Sequence, residues 1–167
     1  MIRTENAACF TGHRVISKEL LYTMPHMLNS CIRKQINDGF ADFITGGALG
    51  FDTYAAQEII KLRAEFPQIR LILALPCPEQ ADKWNKSQIA LYKKIIVNAD
   101  VVYYVSEKYD SGCMMRRNKF MVDNSQRCIF YIERNSGGTY KTVEYAMEQN
   151  KKLYNIMEEK SLIGNGL

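Results

Sequence analysis

Six short apolar runs, each separated from the next by a stretch of helical spacing, constrain this chain more than any other feature. The runs lie at 7–11, 42–45, 69–75, 101–105 and 128–132, with a weaker one at 153–157. They are rich in β-branched and aromatic residues and continuous rather than alternating, as strands covered on both faces read. In the first intervening stretch Leu20, Met24, Leu28, Cys31, Ile32 and Ile36 recur at helical spacing, and Gly39 stands where a C-terminal cap would sit. Pro25 requires that helix either to begin near it, with Thr23 as cap, or to kink. Asp52 is a candidate cap for a second helix that buries Ala55, Ala56, Ile59 and Ile60 and ends before Pro67, and Ser87 for a third carrying Tyr92, Ile95 and Ile96. Met114, Asn118, Met121 and Val122 mark a fourth, and Val143, Ala146 and Met147 a fifth. Strand–helix alternation at this spacing predicts an α/β fold: a doubly wound, mainly parallel sheet of about six strands with helices on both faces.

A chain of 167 residues is long enough to bury a core of its own. No linker or internal repeat divides it, so one domain is expected over residues 1–160, with 161–167 as a frayed tail. No apolar run approaches the roughly 20 residues of a membrane helix, which argues against a membrane partner. The first residues, Met1-Ile2-Arg3-Thr4-Glu5-Asn6, carry no apolar secretion segment, and a cytoplasmic location is expected. The five cysteines are odd in number and contain no CxxC pair, so reduced thiols are expected rather than disulfides or a metal site. Nothing in the pattern asks for a cofactor. A net charge of +4, dispersed apart from short basic clusters, suits an anionic small ligand and argues against nucleic acid as the partner.

In doubly wound sheets ligands sit beyond the carboxyl ends of the strands, so the residues directly after each run carry the functional information. The first run ends in Thr11-Gly12-His13-Arg14, where Gly12 lets the backbone approach a ligand and His13 and Arg14 offer donors to an anion; taken alone, the tetrapeptide reads more simply as a plain turn with solvated charges. The second ends in Gly46-Gly47-Ala48-Leu49-Gly50-Phe51-Asp52, a loop whose amides at a helix start suit a phosphate. A tight left-handed turn with Asp52 as a cap is the alternative. After the fifth comes Ser136-Gly137-Gly138-Thr139-Tyr140-Lys141-Thr142-Val143-Glu144, in which Thr139 or Thr142 is a cap or phosphate ligand and Glu144 falls within the first two turns of a helix begun at Thr139. After the fourth run Ser106 opens a polar loop, and Arg117 near the next helix start suits a phosphate or carboxylate. Trp84, the only tryptophan, is a candidate to stack on a base, against the commoner fate of half-buried packing.

Jointly and in this order, Phe10-Thr11-Gly12-His13-Arg14, the 46–52 loop, Met114-Met115-Arg116-Arg117-Asn118-Lys119-Phe120-Met121-Val122-Asp123 and the 137–144 segment resemble the YpsA-like branch of the SLOG superfamily, from Cys9 to about Met157. The resemblance implies a Rossmann-like sheet and a nucleotide-related ligand, and it suggests a homo-oligomer. In the LOG enzymes, which release a base from a nucleoside 5′-monophosphate, the late motif reads PGGxGTxxE. Here Gly137, Gly138 and Glu144 match, while Ser136, Tyr140 and Lys141 replace the proline, the second glycine and the threonine. The family's arginine falls on Arg117, with Asn118 in place of its lysine.

These features imply, first, a binding or sensing domain for a nucleotide or nucleotide-derived small molecule. Gly46, Gly47, Gly50, Gly137, Gly138 and Thr139 would hold phosphate, Arg117 would pair with it, and Asp52 or Glu144 would accept ribose hydroxyls. The alternative is a phosphoribohydrolase-type N-glycosidase in which Glu144 stabilises an oxocarbenium-like ribose or activates water and Arg117 orients the substrate. Binding of single-stranded DNA, by analogy with the DNA-processing relatives, ranks third.

Overall fold

The computed structural model of the chain describes residues 1–159, so the terminal segment 161–167 lies outside the described residues. Strands β1 (Ala7–Gly12), β2 (Asp42–Thr45), β3 (Arg70–Leu75), β4 (Val101–Tyr104), β5 (Arg127–Tyr131) and β6 (Lys152–Asn155) form one sheet in the order β4-β3-β2-β1-β5-β6. Every neighbouring pair is parallel. Between them run α1 (Met24–Asn37), α2 (Phe51–Leu62), α3 (Lys86–Asn98), α4 (Cys113–Asp123) and α5 (Gly137–Glu148). The fold is the Rossmann-like α/β sheet that the alternation predicts.

Strand residues point alternately to two different cores. Ala8 and Phe10 of β1 pack with Phe43, Leu71 and Leu73 against α1, α2 and α3. Ala7 and Cys9 pack with Ile44, Ile72 and Ala74 against Met121 and Val122 of α4 and Ala146 of α5. Because both faces are covered, both sets of side chains must be apolar, which is why the runs are continuous.

Local capping depends on backbone geometry more than the sequence suggests. The first helix begins at Met24, with Pro25 in its first turn where a missing N–H costs nothing. Leu20 belongs instead to a separate 3-10 turn, and the Thr23 hydroxyl donates to the Leu20 carbonyl (3.4 Å) rather than capping the helix. At α3 the cap is Asn85, not Ser87. Asn85 has the extended backbone a cap needs, its Oδ1 accepts from Gln88 N (2.9 Å), and Gln88 Oε1 accepts from Asn85 N (3.0 Å). Met147, expected on the buried stripe of α5, is exposed.

The order of strands positions the site. From β1 the chain steps outward through β2 and β3 to β4, with α1–α3 on one face; α4 then returns across the other face and places β5 on the far side of β1. The loops leaving β1 and β5 therefore run toward opposite faces. A crevice opens between them at the carboxyl edge of the sheet, as topology requires at a switch point. At the opposite edge, buried Asp42 accepts from the backbone N–H of Arg3 (2.8 Å) and from Arg70 Nε (2.9 Å), clamping the start of β1, β2 and β3 together.

Candidate functional site

A cleft of about 630 Å³ occupies this switch point, within the size range of small-molecule sites. Gly12, His13 and Arg14 line it from the end of β1, Asp52 from α2, Arg117 and Asn118 from α4, and Glu133, Arg134, Ser136, Gly137, Gly138 and Thr139 from the loop between β5 and α5. Nine of the sequence candidates thus meet at one place, contributed by four separate segments of chain.

The back wall of the cleft is a buried pair of opposite charges. Arg117 sits one helical turn from Cys113 and from Met121 on α4, both fully buried, so its position on the helix turns it inward. Asp52 shares the buried face of α2 with Ala55, Ala56 and Ile59. Each residue is only 4% exposed. Arg117 Nη1 donates to the Gly46 carbonyl and Nε to Asn118 Oδ1 (2.8 Å), while Asp52 Oδ2 accepts from the N–H groups of Gly46 (3.0 Å) and Ala48 (3.3 Å). Burial pushes the Asp52 carboxyl up, opposed by the Arg117 charge and the two amides; burial likewise pushes Arg117 down, opposed by Asp52. Gln80 secures the arrangement, donating to the Gly47 carbonyl (3.1 Å) and accepting from Arg117 Nη1 (3.4 Å).

The glycine loop after β2 does not play the part expected of it. Gly46 and Gly47 are buried and do not line the cleft, and the Gly46 and Ala48 amides are spent on Asp52. Asp52 is consequently no helix cap: Gly50, at φ +77°, occupies the N-cap position, and Asp52 lies in the first turn, folded back over the loop. A side chain at Gly50 would strike the carbonyls of His13 and Arg14, so that position serves close packing of two strand-end loops. The loop after β5 is the opposite case. Ser136 stands at the N-cap of α5 without a side-chain hydrogen bond, and nothing lies within 4 Å of where a Cβ would sit on Gly137 or Gly138. The positive end of α5 therefore faces the cleft with room for an anion.

Four candidates lie elsewhere. Glu144 is exposed on α5 and does not line the cleft; it sits beside Tyr140 and raises that phenol's pKa. The predicted Arg117–Glu144 pair is not assembled: Arg117 is buried on α4, whereas Glu144 is exposed on α5. Thr142 is buried and its hydroxyl donates to the Gly138 carbonyl (2.7 Å), closing the first turn of α5. The Ser106 hydroxyl accepts from Arg116 Nη2 (2.9 Å), outside the cleft. Trp84 packs edge-on against Tyr92 and, with Gly50, lines a separate groove of about 200 Å³ between α2 and α3.

Sequence reasoning passed over Glu133, Arg134 and Met114, which do line the cleft. The signal for the first two was simply their place, immediately after a central strand. His13 makes contacts across the switch point that its place in the sequence did not announce. Its Nε2 accepts from the backbone N–H of Glu133 (2.9 Å), its ring lies edge-on to Tyr131, and its pKa is pushed down, first by burial and then by the Arg134 charge. Among the described residues no cluster of ligating side chains could hold a metal ion, and no helix is long and apolar enough to cross a membrane.

Comparison with known proteins agrees with this architecture. The YpsA family model, described as the YspA SLOG family, matches residues 16–161. The SPbeta prophage-derived protein YoqJ of Bacillus subtilis (strain 168) is 32% identical over 124 residues, covering 67% of this chain and 70% of YoqJ. A UPF0398 protein of Ligilactobacillus salivarius (strain UCC118) is 25% identical over 139 residues, covering 80% of this chain and 76% of the relative. Among solved structures, DNA processing protein A from Helicobacter pylori superposes with a TM-score of 0.64 at 18% identity. The match covers 91% of this chain but spans only 65% of that protein.

Proposed function

Because the chain belongs to the YspA SLOG family, we propose that the switch-point cleft binds a nucleotide or nucleotide-derived small molecule. The observation that carries this reading is the uncapped N-terminus of α5, opening through Gly137, Gly138 and Thr139 into the cleft. First-turn amides and the helix dipole favour a phosphate there, and Arg14 and Arg134 on the walls add positive charge. The buried Arg117–Asp52 pair would form a fixed polar wall at the far end, suited to sugar hydroxyls. Binding ranks above hydrolysis because Glu144, the acid that an N-glycosidase reading relies on, lies outside the cleft; among the described residues Asp52 and Glu133 are the carboxylates that line it.

A thermal-shift screen of nucleoside mono- and diphosphates, dinucleotides and ADP-ribose tests the proposal. A ligand present at about 100 times its dissociation constant stabilises the fold by about 2.7 kcal/mol, or roughly 5–10 °C for a chain of this size. Gly138→Asp, which sets a negative charge in the anion's place, should abolish the shift while leaving the free protein folded. A screen in which no nucleotide moves the melting temperature would sink the reading.

The structural neighbour from Helicobacter pylori is described as having a single-stranded DNA binding mode, so a single-stranded oligonucleotide belongs in the same experiment. Retention of the oligonucleotide that falls steeply with added salt, with no response to mononucleotides, would favour a phosphate backbone over a small ligand as the occupant of the cleft.

A further inference from the structure

His13 stands where three strand-end segments meet. Its N–H donates to the Tyr131 carbonyl (3.3 Å), carrying the β1–β5 pairing one residue past β1, and its carbonyl accepts from Phe51 N at the start of α2 (3.1 Å). The side chain then reaches across the switch point, where Nε2 accepts from the Glu133 N–H (2.9 Å). This bond fixes the tautomer, since an accepting Nε2 carries no proton and the ring hydrogen must be on Nδ1. Glu133 lies in the loop that leads from β5 to the N-terminus of α5, only four residues on.

We propose that the neutral imidazole of His13 is a latch: by accepting the Glu133 N–H it holds the β5–α5 loop, and with it the anion-facing end of α5, in the position that receives the ligand. His13 is thus a positioning residue and not a phosphate ligand. Protonation would convert the acceptor into a donor aimed at another donor, and the latch would open. The titratable and charged groups around it are Arg134 and Glu133 on the latched loop, Tyr131 on β5, Arg14 next to it in its own loop, and Asp52 and Arg117 across the cleft. Arg134 disfavours a second positive charge beside it, in the same direction as burial.

The two roles predict opposite responses to acid. A histidine that contacts phosphate binds its anion more tightly when protonated. A latch loses affinity as the pH falls through the histidine's pKa. Stability has the same sign: the folded state holds His13 below the unfolded value of about 6.5, so this part of the stability is complete above that pH and declines as the pH drops below it.

The test has one arm without ligand and one that rests on the nucleotide reading. In the free protein, nitrogen NMR should show His13 in the Nδ1–H tautomer at pH 7.5, and the Glu133 amide should be protected from exchange. His13→Phe, which keeps a ring against Tyr131 but has no acceptor, should lose that protection at least tenfold, and His13→Gln, whose Oε1 can accept but does not titrate, should keep it. With AMP as probe, the affinity of the wild type should fall at least twofold more between pH 7.5 and 5.0 than that of His13→Gln. The comparison is with the glutamine variant because the phosphate's own second proton is taken up in the same range. An Nε2–H tautomer, or unchanged Glu133 protection in His13→Phe, overturns the latch. The expected protection pattern with no binding of AMP or of any other nucleotide in the screen at any pH would instead leave the latch standing and remove the nucleotide reading.

Discussion

Gly46 has room for a hydrogen and nothing larger. A Cβ there would run into the Arg117 guanidinium on one side and the Asp52 carboxylate on the other, while its own N–H and C=O bond those same two side chains. The residue is in effect a spacer between opposite charges, and it holds them apart while satisfying both. Gly46→Ala should therefore destabilise the fold by about 1–3 kcal/mol, as overpacking of a rigid site does. Gly138→Ala, with open space around it in a helix, should change stability by no more than about 0.5 kcal/mol. Denaturant midpoints measured side by side decide this; equal effects of the two substitutions would mean that the Arg117–Asp52 wall is free to move.

At the level of elements, two helices set a charged residue at a buried position facing the other: Asp52 with Ala55, Ala56 and Ile59 on α2, and Arg117 with Cys113 and Met121 on α4, while the second buried acid of α2, Glu58, is met by Asn29 and Lys61. A charge placed at a core register is costly unless a partner meets it, so each of these positions implied the other. That signal was present in the spacing, yet it could be used only by asking where each charge falls on its helix. Helix starts were less legible, since Asn85 and Ser87 are both good capping residues and only the backbone distinguishes them. Asn85→Ala should cost about 1 kcal/mol in thermal or chemical unfolding. Ser87→Ala, which loses only an exposed bond from its hydroxyl to Asn85 Oδ1, should cost a few tenths at most. A reversed order would mean that α3 begins two residues further along the chain.

For the molecule as a whole, the two edges of the sheet have different work. The amino edge is held by Asp42, fully buried between Arg3 and Arg70. Burial alone would raise this carboxyl, but hydrogen bonds from Arg70 and Arg3 outweigh it and hold the group below the ordinary carboxylate range. A lowered carboxyl contributes stability that is complete above its unfolded value of about 3.9 and is lost as the pH falls through its folded one. Asp42→Asn should thus be markedly less stable than wild type at neutral pH. The difference should shrink as urea unfolding is repeated at successively lower pH below about 4. A gap that stays constant into acid would show that packing, not charge, is what Asp42 supplies. At the carboxyl edge the loops leaving β1 and β5 part toward opposite faces, and the cleft lies there.

The existence and order of strands and helices were legible in the chain itself, because burying a parallel sheet on both faces forces continuous apolar runs, and amphipathic helices force a period near 3.6. The same reading pointed to the loops at the strand ends and singled out Arg117, Asp52 and the Gly137-Gly138 pair, which line the cleft. What it could not supply was which strand lies beside which. That β5 returns to β1, and not to the edge beside β4, is fixed by long-range packing, and it alone decides which loops share a cleft. Hence two glycine loops that look alike in sequence have opposite roles: one is sealed by Asp52 and Arg117 into the wall, and the other stays open at the head of α5. Glu144 and Trp84 fell outside for the same reason. A side chain's direction around its helix, and the neighbour it meets there, exist only once the sheet has closed.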